Sequence, residues 1–101
     1  MNIQMKKGLL EFCVLATLRT SDSYGYQIIK DTSSVIELSD STLYPILKRL
    51  EKQGAIESYS VEHNGRLRKY YHITEAGLVD IQEFLDDWQQ VINVYDYIKG
   101  V

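Results

Sequence analysis

Two runs with strand composition, Ala55 to Glu62 and Arg66 to Ile73, are joined across His63-Asn64-Gly65. Asn-Gly supplies the two positive-φ residues of a type I′ turn, the turn whose twist suits a two-residue hairpin connection. The hairpin constrains everything else, because the chain must place it after three helical segments and before a fourth.

The segment just before it, residues 39–54, reads SDSTLYPILKRLEKQG. Leu43, Ile46, Leu47 and Leu50 fall at i, i+3, i+4 and i+7, one stripe of a helix. Ser39 is expected as its N-cap and Gly54 as its stop. The only proline of the chain, Pro45, lies inside it. There it deletes the bond to the Ser41 carbonyl, a cost of ~3 kcal/mol in a helix interior but smaller near a helix start. Pro45 is therefore expected to kink or stiffen the helix rather than divide it, and to set the angle of Thr42 and Tyr44.

From Lys6 to Thr20, Leu9, Leu10, Phe12, Val14, Leu15 and Leu18 surround almost the whole circumference, which predicts a central helix buried on most sides. Ser21, Asp22 or Ser23 is expected to cap a second helix running through Tyr24, Tyr26, Ile28, Ile29 and Lys30. Thr74 to about Gly100 predicts one long final helix. Its apolar positions Leu78, Ile81, Leu85, Trp88, Ile92 and Tyr95 are spaced 3-4-3-4-3, widened by Phe84, Val91 and Ile98. A domain of 101 residues, 45% of them apolar, has little core to cover so wide a stripe. Part of it is expected to meet a second copy of the chain about a two-fold axis.

Three helices and then a hairpin define the expected fold class: mainly α with a small β-hairpin (α+β), a winged helix-turn-helix with a long C-terminal dimerisation helix. Residues 1–73 form the winged unit and residues 74–101 the dimerisation helix, within one compact whole. Charge follows the same division. Residues 1–40 carry four basic and five acidic side chains, residues 41–73 six and three, and residues 74–101 one and six. The net of −3 thus hides a middle third at +3 and a tail at −5.

Opposite the stripe of the third helix lie Ser41, Pro45, Lys48 and Lys52, with Thr42, Tyr44 and Arg49 on the flanks. Short hydroxyls and a phenol at one end suit phosphate or base edges, and long cations at the other suit phosphates. The hairpin adds Asn64, Arg66, Arg68 and Lys69. Cations opposite an apolar stripe are also what any solvated helix shows, so a winged-helix module that binds protein is the alternative. The coincidence of basic residues on two neighbouring elements favours double-stranded DNA.

Other chemistry finds little support. His63 and His72 have no partners at metal-ligand spacing, and no phosphate loop or nucleophile elbow is present, so no enzyme activity, metal or cofactor is expected. Asp86 and Asp87 point about 100° apart on a helix, which suits a solvated face. Glu11 interrupts the only run that could pass for a signal peptide, no membrane span is present, and a lone Cys13 reads as a small buried hydrophobe. A cytoplasmic setting is expected.

The sequence also resembles the PadR-like transcriptional regulators, especially the short subgroup with one C-terminal helix. The resemblance rests on Ser23-Tyr24-Gly25-Tyr26-Gln27-Ile28, on Ser41 to Gly54, and on Arg68-Lys69-Tyr70-Tyr71-His72-Ile73-Thr74-Glu75-Ala76-Gly77. It implies a homodimeric repressor on a pseudo-palindromic operator, with Thr42, Tyr44, Lys48 and Arg49 on the DNA-binding helix and Arg66, Arg68 and Lys69 on the wing. Some short members hold planar aromatic or cationic ligands against a tryptophan of the last helix, which Trp88 matches. Trp88 then has two readings: interface packing, or one wall of an effector site with Asp86 or Asp87 nearby to attract a positive ligand.

Overall fold

The computed structural model describes residues 2–100, with the side chains of Ile3 and Gln4 left aside; residue 101, where the expected final segment ends, lies outside them. The elements run α1 (Ile3–Thr20), β1 (Ser23–Tyr24), α2 (Gly25–Thr32), α3 (Asp40–Lys52), β2 (Ile56–His63), β3 (Arg66–Ile73) and α4 (Glu75–Lys99). The apolar stripes of α1 and α3 find the core. Leu10, Val14, Leu15 and Leu18 of α1 pack with Leu43, Ile46, Leu47 and Leu50 of α3, and with Ile28, Ile56, Tyr71 and Ile73. Burying an aliphatic side chain of this size contributes about 1.5–3 kcal/mol. This shared core is what orients α3 against α1.

Pro45 sits within an unbroken α3. Ser39 is its N-cap as expected, but its hydroxyl bonds the hydroxyls of Ser41 (3.1 Å) and Thr42 (3.0 Å) instead of a backbone N–H. Asn64 and Gly65 both take positive φ, 52° and 78°, so the hairpin turns as its sequence requires.

Two expectations are corrected. The hairpin is part of a three-stranded antiparallel sheet, ordered β1-β3-β2, with Ser23 opposite Tyr71 and Tyr24 opposite Tyr70. Consequently α2 starts later, at Gly25, with Tyr24 as an N-cap that makes no side-chain cap bond. The exposed edge of β3 recruits Ser23-Tyr24 into extended structure, and this pairing outweighs the capping that Ser21, Asp22 or Ser23 could offer. Ser23 is buried by it, and its hydroxyl has no hydrogen-bond partner among the described residues.

The start of α4 is fixed tightly. The Thr74 hydroxyl donates to the Gly54 carbonyl at 2.6 Å and accepts from the Gly77 N–H at 3.2 Å, while the Thr74 N–H donates to the Ala55 carbonyl. Gly77 lies so close that a Cβ there would overlap the Ala55 oxygen. Beyond Trp88 the exposed second half of α4 leaves the body, and the molecule extends 59 Å against 26 and 21 Å.

Candidate nucleic-acid interface

Core packing of Leu43, Ile46, Leu47 and Leu50 turns the opposite face of α3 outward. Ser41, Thr42, Tyr44, Pro45, Lys48, Arg49 and Lys52 are all exposed. They do not share one environment. Arg49 reaches back to α1, where its guanidinium pairs with the Glu11 carboxylate. A pair this exposed is worth about 0–1 kcal/mol, yet it holds the Arg49 charge beside Lys7, Thr42 and Pro45, which line the same groove. Lys48 and Lys52 make no ion pair among the described residues.

On the wing, strand alternation separates two sets of side chains. Arg68, Tyr70 and His72 lie on one face, and Tyr71 and Ile73 pack inward on the other. Tyr70 sits between Tyr24 (5.4 Å, edge-to-face) and Tyr59 (5.8 Å, stacked), and the Arg68 guanidinium lies 4.1 Å over the Tyr24 ring. Lys69 stands 3.9 Å from Glu51 at the end of α3. Asn64 and Arg66 occupy the exposed tip.

Asp22 braces the wing from outside. Its carboxylate accepts from the Tyr59 hydroxyl at 2.6 Å and lies 2.7 Å from His72 Nδ1. Those hydrogen bonds hold the Asp22 carboxyl below its usual range, and the same bond raises the Tyr59 phenol. Both wing strands are thereby tied to the turn after α1. His72, read from sequence as an isolated histidine, is one of these ties.

Tyr44 of α3 meets the wing in an open cleft shared with Tyr24, Gly25, Tyr26, Arg68, Lys69 and Tyr71. Its phenol oxygen occupies space that a Cβ on residue 25 would need, 2.5 Å from that atom's position. Tyr24, Gly25, Tyr26 and Tyr71 were not among the expected DNA-facing residues. A signal was available: Gly25 stands where alanine would favour a helix by about 1 kcal/mol, and a residue without a Cβ leaves room for a close neighbour.

The α4 stripe divides in two. Ile81 is buried in the core of its own chain, which removes it from the exposed set proposed for an interface. Phe84 stacks on Phe12 of α1 at 4.1 Å, and Trp88 lies 6.0 Å from Phe84. Leu78, Leu85, Val91, Ile92 and Tyr95 stay 42–60% exposed. Asp86 accepts from Gln82 Nε2 at 3.0 Å, and Asp87 is solvent-exposed. A groove between α1 and α4 is lined mainly by apolar side chains, among them Leu9, Phe12, Ile81, Phe84 and Leu85, with Cys13 and Arg19 also on its wall.

Two layers of helix, a third helix with an outward cationic face and a wing beside it define the winged-helix class. Residues 14–83 match the model of the transcriptional regulator PadR-like family, and the chain belongs to that family. It is a DNA-binding transcriptional regulator and not an enzyme. The chain is 33% identical over 101 residues to an uncharacterized protein of Lysinibacillus sphaericus, covering 94% of this chain and 93% of that one. Among solved structures it resembles a PadR family transcriptional regulator from Eggerthella lenta, with TM-score 0.87 and 30% identity over 98% of this chain and 88% of that one. A PadR-like transcriptional regulator from Bacillus cereus gives TM-score 0.81 and 34% identity over 97% and 98%. Among the described residues no helix is long and apolar enough to cross a membrane, and no group of three or more metal-binding side chains occurs.

Proposed function

We propose that the chain is a cytoplasmic homodimeric repressor whose residues 1–73 bind DNA and whose residues 74–101 form the dimer. The observation that carries this reading is the meeting of two cationic elements: α3 with exposed Lys48 and Lys52, and β3 with exposed Arg66 and Lys69 and half-buried Arg68. In a two-fold dimer two copies of α3 enter successive major grooves about 34 Å apart, over a pseudo-palindromic site that polymerase needs. Ser41 and Thr42 at the front of α3 meet base edges or phosphates; Lys48, Lys52 and the wing meet phosphates.

Support for the dimer comes from α4, whose residues 89–100 are all exposed. A free helical segment below about 12–15 residues is marginal in water, and this one carries Val91, Ile92, Val94 and Tyr95 uncovered. DNA from upstream of the protein's own gene should be retarded at lower concentration than a generic duplex at the same salt. Equal retardation of both would refute operator recognition and favour a protein-binding winged helix.

A planar aromatic or cationic effector between the two α4 helices is the finer part of the proposal. Trp88 beside Phe84, with Asp86 and Asp87 on the same helix, supports it. Planar dyes that quench Trp88 fluorescence should also release DNA; quenching without release would sink the regulatory role.

A further inference from the structure

The cleft between α3 and the wing has a chemistry of its own. β1 is only two residues long and ends opposite Tyr70, so β3 runs on past it with Arg68 and Lys69 beside the start of α2. Into the same opening comes the Tyr44 phenol from α3. No carboxylate is among the lining residues. Glu51 reaches Lys69 from behind at 3.9 Å and also accepts from the Ser58 hydroxyl at 2.6 Å, which leaves Arg68 without an ion pair among the described residues.

We propose that this cleft seats one phosphate of the DNA backbone, held by the Tyr44 hydroxyl, the Arg68 guanidinium and the Lys69 ammonium. The inference rests on the DNA-binding reading and narrows Tyr44 within it, from phosphate or base edges to the backbone alone. The donors are of the right kind: Arg68, Lys69 and Tyr44 line one opening, reached from both faces of β3, and charge-assisted bonds to phosphate are the strong ones. The Arg68 guanidinium carbon lies 4.1 Å over the Tyr24 ring, and its charge has no ion pair among the described residues. A stacked base fits less well, because Tyr24 is covered by Arg68 and Tyr71 is only 4% exposed.

Gly25 keeps the seat open. A Cβ there would stand 2.5 Å from the Tyr44 oxygen, so any larger residue must push the phenol out of the cleft. Tyr44 is 51% exposed and its ring is free to swing away, so the fold tolerates the change while the seat does not.

The test measures affinity for two duplexes of unrelated sequence across a range of salt. Tyr44→Phe should weaken binding about 3- to 10-fold for each chain bound, the worth of one net hydrogen bond per seat. The loss should be equal on both duplexes, because a phosphate contact carries no sequence information. Gly25→Ala should weaken both at least as much with unchanged thermal stability, and Arg68→Gln should lower the salt slope by about 1 for each chain bound. A Tyr44→Phe loss that differs between the duplexes overturns the seat in favour of base reading. So does full affinity in Tyr44→Phe and Gly25→Ala while Lys48→Ala still lowers the slope, and DNA binding itself then stands. Salt-insensitive or absent binding by the unmodified protein would instead remove the DNA reading. If Gly25→Ala melts early, Tyr44→Phe and Arg68→Gln decide alone.

Discussion

Replacing Gly77 with alanine is expected to lower the melting temperature by about 4–24 °C, against the usual effect of such a change in a helix. Helix propensity alone favours alanine by about 1 kcal/mol. Here the new Cβ would overlap the Ala55 carbonyl oxygen and stand 2.7 Å from Ile73 Cγ1. Neither neighbour can yield cheaply. The Ala55 carbonyl accepts from the Thr74 N–H at 3.0 Å, and Ile73 is a buried core residue. Overpacking of this kind costs about 1–3 kcal/mol and occasionally more, and displacing the Thr74 bond adds about 1 kcal/mol. A net loss of about 1–3 kcal/mol follows, at about 4–8 °C for each kcal/mol in a chain of this size. Gly8 supplies the control: it lies within α1 and a Cβ there meets nothing within 4 Å. Gly8→Ala should therefore raise stability by up to about 1 kcal/mol. Thermal melts of both variants check the pair, and a neutral or stabilised Gly77→Ala would show that α4 is not anchored as described.

The second large effect concerns the dimer. Leu85 and Ile92 lie seven residues apart on one stripe of α4 and are 48% and 46% exposed. Introducing glutamate at both positions would place four carboxylates near the proposed two-fold interface. Each charge buried without a partner costs several kcal/mol, so the dimer dissociation constant should rise on the order of 1000-fold or more, at about 1.4 kcal/mol per tenfold. The fold of a single chain should hardly change, because both side chains already face water there. Sedimentation equilibrium reads the shift directly. A variant that remains as dimeric as the parent protein would place the interface elsewhere.

What could be read from the sequence followed the range of its signals. Local patterns delivered most of the fold: the α3 stripe, the Asn64-Gly65 turn, and the span of α4 from its Thr74 cap to Gly100. Contacts between distant residues did not announce themselves. β1 exists because Ser23 and Tyr24 pair with Tyr71 and Tyr70, and two residues carry no period from which a strand could be inferred. Helical geometry placed Arg49 on a flank, but its partner Glu11 is 38 positions away. Asp22 had the composition of a cap, and only the folded chain brings it to Tyr59 and His72, 37 and 50 positions away. Ile81 carried the same apolar label as its stripe neighbours, and the packing of α4 on α1 gave it to the core. The cleft around Tyr44 is the largest gain, since residues from α2, α3 and β3 meet there.

The central claim, that α3 and the wing together form the DNA surface, is tested most directly by the salt dependence of affinity in a variant with Lys48, Lys52 and Arg66 all changed to alanine. None of these side chains makes an ion pair among the described residues, so folding should be retained. Each phosphate contact contributes about 0.9 to the slope of log affinity against log salt. Loss of three cations per chain, six per dimer, should reduce that slope by about 5 and abolish most binding at physiological salt. A variant with the slope and affinity of the unmodified protein would contradict the claim.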